Sequence, residues 1–99
     1  MFFENEDEQK APSPAEQEYR NFLDDLREVT QAPAGKRVFW KLLEYTDVHG
    51  SSFDTNPQVM SFNEGRRDVG LWIEKQLEQI EPDLIYQIAK EKINVRSDR

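Results

Sequence analysis

Ser61-Phe62-Asn63-Glu64-Gly65-Arg66-Arg67-Asp68-Val69-Gly70-Leu71-Trp72-Ile73 is the stretch around which the chain is organised. At helical spacing Phe62, Val69, Ile73, Leu77 and Ile80 fall along one side, with Gly65, Arg66 and Trp72 beside that stripe. Two glycines inside such a helix cost roughly 1 kcal/mol each relative to alanine. A cost of that size implies close approach of another backbone or a bulky side chain. The aromatic run Val38-Phe39-Trp40 is the expected partner. This predicts a central helix over about 57–80, opened by Asn56-Pro57 as N-cap and first helical residue and bent at Gly65.

On the N-terminal side, Ser13-Pro14-Ala15-Glu16 is a capping box with proline at the first helical position. Ala15, Tyr19, Phe22, Leu23, Leu26 and Thr30 then form a one-sided stripe, predicting a helix over about 14–31 that ends at Ala32-Pro33-Ala34-Gly35. A second helix is expected from Lys36 to Asp47, burying Val38, Phe39, Leu42, Leu43 and Thr46 and widened by Trp40. In the loop that follows, Phe53 is the lone aromatic and is expected to plug back onto the core. After Glu81-Pro82-Asp83, a last helix over about 82–93 places Leu84, Ile85, Ile88, Ala89 and the stem of Lys92 on one side. No period-two segment of any length appears. The expected fold is all-α: a small four-helix bundle over 13–95, with an extended acidic N-terminal arm over 1–12 and a short polar C-terminal tail over 96–99.

Composition narrows the function. A chain of 99 residues holds one small core. No apolar run approaches the ~20 residues of a membrane span. With no cysteine there is neither a disulfide framework nor a thiolate metal site, and a cytoplasmic origin is the default. A net charge of −7 disfavours nucleic-acid binding, which draws on Lys and Arg to neutralise phosphates. The charge is uneven. Glu4, Glu6, Asp7 and Glu8 head the chain, whereas Lys90, Lys92, Arg96 and Arg99 gather near its end. These are two solvated ends, or ends that meet between neighbouring copies.

No constellation for catalysis is visible. His49 is the only histidine, and beside Asp47 and Asp54 it lacks the further ligands of a metal site. Ser51 and Ser52 have no base held by a third group. Ala34-Gly35-Lys36-Arg37 lacks the strand and second glycine of a phosphate loop. The expectation is no enzyme, no metal, no cofactor and no small-molecule substrate.

Two basic doublets remain, Lys36-Arg37 and Arg66-Arg67. Arg66, beside the apolar stripe, is expected to stack on Trp40 or Trp72 or to pair with Glu44, Glu64 or Asp25. Arg37 and Arg67 are expected to face a partner, for which the acidic segment 4–8 of a neighbouring copy is a candidate. Phe2, Phe3 and Trp40 complete the candidate partner-binding set, paired aromatics on an arm being natural anchors.

Three blocks taken together resemble a family of small bacteriophage proteins: Gly35-Lys36-Arg37-Val38-Phe39-Trp40-Lys41-Leu42-Leu43-Glu44, Ser51-Ser52-Phe53, and Asn63-Glu64-Gly65-Arg66-Arg67-Asp68-Val69-Gly70-Leu71-Trp72. The family is typified by a Bordetella phage member encoded among head-assembly genes. The likeness covers roughly 19–93, and the Glu-Gly-Arg-Arg block is its specific part. The chain departs from the pattern at His49 or Gly50, where an aromatic is usual. The resemblance implies a phage origin and a structural or assembly role in the virion, the protein being made in the host bacterial cytoplasm. It carries no catalytic residue. The expected partners are other virion proteins and copies of the chain itself. A small soluble phage protein that binds a host or phage factor during infection is the alternative.

Overall fold

The computed structural model describes residues 11–92, and these contain four helices and no strand. They are α1 (Pro14–Gln31), α2 (Pro33–Thr46), α3 (Pro57–Ile80) and α4 (Leu84–Glu91). The expected all-α fold is present. The arm calls at Phe2 and Phe3, and the tail over 96–99, lie outside the described residues.

Local chemistry sets two starts where the capping signals placed them. Ser13 Oγ accepts a hydrogen bond from the Glu16 amide at 3.1 Å, while Glu16 Oε1 accepts one from the Ser13 amide at 2.8 Å. The Ser13 amide, and then its hydroxyl, hold the Glu16 carboxyl below its ordinary pKa. At α3, Asn56 Oδ1 accepts from the Gln58 and Val59 amides at 2.8 and 3.2 Å, satisfying donors that have no partner within the helix. Ser13→Ala is therefore expected to cost about 1 kcal/mol of stability, read as a lower urea midpoint. Because the Glu16 pKa is depressed on folding, its contribution is complete above the ordinary carboxylate range and is lost as pH falls through the depressed value. The wild-type advantage over Ser13→Ala is expected to shrink on acidification.

The second helix begins three residues earlier than Lys36. Ala32 alone separates α1 from α2, in extended backbone at φ −77° and ψ 137°. Pro33 forces this twice over. It pushes the preceding residue out of the helical region, which ends α1, and its own fixed φ suits the first turn of α2. The corner is so tight that a Cβ on Gly35 would lie 1.9 Å from the Val29 carbonyl oxygen. The last helix starts at Leu84 rather than Pro82, after a turn over 82–83.

The core draws on every helix. Leu26 of α1, Leu43 of α2, Leu77 of α3, and Leu84 and Ile88 of α4 are buried. Phe22, Phe39, Trp40, Ile73, Ile80 and Ile85 pack around them. The three buried polar residues among those described, Thr30, Thr46 and Gln76, are bonded: Thr30 Oγ1 donates to the Leu26 carbonyl at 2.8 Å, Thr46 Oγ1 to the Leu43 carbonyl at 2.7 Å, and the Tyr19 hydroxyl to Gln76 Oε1.

Five burial expectations and one packing expectation are corrected. Phe62 and Val69 are 59% and 52% exposed, so only Ile73, Leu77 and Ile80 of the central stripe reach the core. The reason is length. The 24 residues of α3 span about 36 Å, against about 21 Å for α2 and 12 Å for α4, whose 14 and 8 residues cannot cover both halves of it. On α2, Val38 and Leu42 are exposed while Phe39 and Leu43 turn inward. The close neighbours of Gly70 are Thr46 and Val48 at the end of α2, where a Cβ would come within 2.3 and 2.8 Å, rather than the aromatic run. Phe53 is 73% exposed, and it is Val48 that is buried from the segment after α2.

Candidate interaction surface

The half of α3 left over by the core forms one wall of an open apolar groove, and the C-terminal half of α2 forms the other. Its lining is Leu42, Tyr45 and Thr46 from α2, with Ser61, Phe62, Gly65, Arg66, Val69 and Ile73 from α3, around a volume of about 460 Å³. Helical periodicity explains the α3 side, since 62, 65, 66, 69 and 73 recur at steps of three and four. A Cβ on Gly65 would meet no atom within 4 Å. Of the two glycines in the central stretch, Gly70 thus admits a close neighbour and Gly65 only opens the groove. Gly65→Ala is accordingly expected to raise stability by about 0.5–1 kcal/mol, seen as a higher melting temperature of the isolated chain.

Arg66 stands in this groove. Its guanidinium carbon lies 5.3 Å from the Tyr45 ring centroid and 5.4 Å from that of Phe62. Its Nε is buried without a hydrogen-bond partner. The stacking expected of Arg66 occurs, but on Tyr45 and Phe62 instead of a tryptophan. Phe62 was legible as its i,i+4 neighbour, whereas Tyr45 comes from another helix and no sequence spacing announces it.

A second aromatic surface joins α1 to α3. Trp72, 54% exposed, packs on Phe22 with ring centroids 5.9 Å apart, and Phe22 on Tyr19 at 6.2 Å. These pairs run in opposite senses along the two helices, Tyr19 meeting Gln76 and Phe22 meeting Trp72, so α1 and α3 are antiparallel.

The remaining candidate residues are scattered around these surfaces. Arg37 Nη1 lies 3.6 Å from Glu91 Oε1, tying α2 to α4. Arg67 Nη1 is 4.0 Å from Glu64 Oε1 on its own helix. Trp40 is half-buried against the core with the Lys92 ammonium 4.6 Å from its ring centroid. Phe2 and Phe3 fall outside the described residues; Arg37 and Trp40 stand one turn apart on α2, beside Glu91 and Lys92 respectively, while Arg67 lies on α3. His49 Nε2 meets Glu74 Oε2 at 2.8 Å across the loop–α3 boundary. Among the described residues no group of three or more His, Asp or Glu is placed to hold a metal, and no helix is long and apolar enough to cross a membrane.

Comparison with protein families matches residues 19–90 to the model described as Bbp19-like phage protein. No curated protein and no solved structure matches the chain.

Proposed function

The chain belongs to the Bbp19-like phage protein family, and from that membership we propose that it is a non-enzymatic structural or assembly protein of the virion. It acts through protein–protein contacts near the portal, tail or internal core, in several copies. The observation that carries this reading is the groove between α2 and α3, where Tyr45, Phe62 and Val69 are each more than half exposed on adjoining helices. Contiguous exposed apolar surface of this kind supports a contact-forming role. Arg37 and Arg67 each have a carboxylate within 4 Å, which supports protein contact over phosphate contact. The reading predicts that quantitative proteomics of purified particles finds the chain at several copies per particle. Abundance in infected cells with absence from particles would instead favour a small soluble phage protein that engages a host or phage factor.

A further inference from the structure

We propose that the α2–α3 groove is the receptor for the segment Met1–Glu8 of a second copy of this chain, with Phe2 and Phe3 entering the groove and Glu4 meeting Arg66.

The groove itself selects a short linear occupant. At about 460 Å³ it lies in the size range of sites that hold small, ligand-sized groups, roughly 300–1,000 Å³. A folded partner needs about 800 Å² from each side for a stable interface, more than such a groove offers. Two phenylalanines bury about 300–500 Å² and fill a slot lined by Leu42, Tyr45, Phe62 and Val69.

Charge selects the segment. Arg66 is the cation of the groove, and among the described residues no carboxylate pairs with it, in contrast to Arg37 and Arg67. The guanidinium carbon lies 5.3 and 5.4 Å from the Tyr45 and Phe62 ring centroids, and the guanidinium keeps N–H donors suited to a carboxylate. In this sequence a pair of aromatics followed at once by an acid occurs at Phe2-Phe3-Glu4, with Glu6, Asp7 and Glu8 behind it.

Reach selects a neighbour over the same chain. Because α1 and α3 are antiparallel, Ser13 lies beyond Gln76, at the end of α3 remote from Gly65. From Gln76 back to Gly65 is about 16 Å along α3, and from Tyr19 to Pro14 about 8 Å the other way, at 1.5 Å per residue. The path then passes from the α1 side of α3 round to the α2 side. The ten residues from Phe3 to Ser13 span at most about 33–36 Å. Closure on the same chain would draw them almost taut. A second copy imposes no such limit.

This deepens the contact-forming part of the function proposed above and rests on it only there, since particle proteomics and self-association can fail independently. The test uses full-length chains. Sedimentation velocity of the wild type is expected to show concentration-dependent self-association at micromolar concentrations. Phe2→Ala/Phe3→Ala, with a disabled arm, and Gly65→Leu, with a filled groove, are each expected to associate at least tenfold more weakly, with helical circular dichroism unchanged. An equimolar mixture of the two is decisive. It pairs an intact arm with an open groove and is expected to form a heterodimer that stops at one-to-one. Arg66→Gln is expected to weaken association and flatten its salt dependence. A monomeric wild type, variants that associate as the wild type does, or a mixture that stays monomeric would each overturn the proposal.

Discussion

Replacing Leu77 by alanine is expected to lower the unfolding free energy by about 3–4 kcal/mol, within the range of buried leucine truncations. Leu77 is fully buried and belongs to a cluster of five buried hydrophobics contributed by all four helices. A core that small has no second layer to collapse into the space, so the cavity term is retained. For a domain of this size each kcal/mol moves the melting temperature by about 4–8 °C, giving a fall of roughly 12–32 °C. Thermal circular dichroism checks it. The matched control is Leu71→Ala on the same helix: Leu71 is 41% exposed, so its truncation is expected to cost less than 1 kcal/mol. Equal losses at the two positions would mean that α3 buries a different side.

Gly35→Ala is expected to be nearly as damaging, at about 2–3 kcal/mol, although it adds a single methyl group at a position where helix propensity favours alanine. The added Cβ would sit 1.9 Å from the carbonyl oxygen and 2.8 Å from the carbonyl carbon of Val29. Both are backbone atoms, so no rotamer change relieves the overlap, and the one-residue corner at Ala32 must open. Gly70→Ala differs in kind, because its Cβ meets the side chains of Thr46 and Val48. A second substitution separates the cases. Thr46→Ala, which removes the Oγ1 atom 2.3 Å from that Cβ, is expected to recover part of the Gly70→Ala loss, whereas Val29→Ala is expected to leave the Gly35→Ala loss in place. Denaturant midpoints of the four variants and their pairs measure the couplings.

Much of this architecture was legible because its signals are local. Ser13 with Glu16 and Asn56 with Pro57 mark helix starts through bonds within three residues, and Leu26, Leu43, Leu77 and Ile88 face inward as their spacing predicts. Pro33 misled because the same residue that ends one helix opens the next when a single residue separates them. Phe62 and Val69 misled for another reason. Periodicity reports which side of a helix is apolar, not whether the partner helices are long enough to cover it, and the apolar side of α3 outruns them. The groove was invisible for that reason too: it is made by what α2 and α4 fail to cover. Gly65 and Gly70 looked alike in sequence, yet one admits Thr46 and Val48 and the other faces open space.

Our proposal divides α3 in two: the segment after Gly70 holds the core, and the segment before it is expected to meet other chains. Native-state hydrogen exchange, followed amide by amide, tests it most directly. Amides of 73–80 are expected to exchange only through global unfolding at every protein concentration. Those of 60–68 are expected to open locally in dilute solution and to become protected as concentration rises. Uniform protection along the whole helix, unaffected by concentration, would contradict the account.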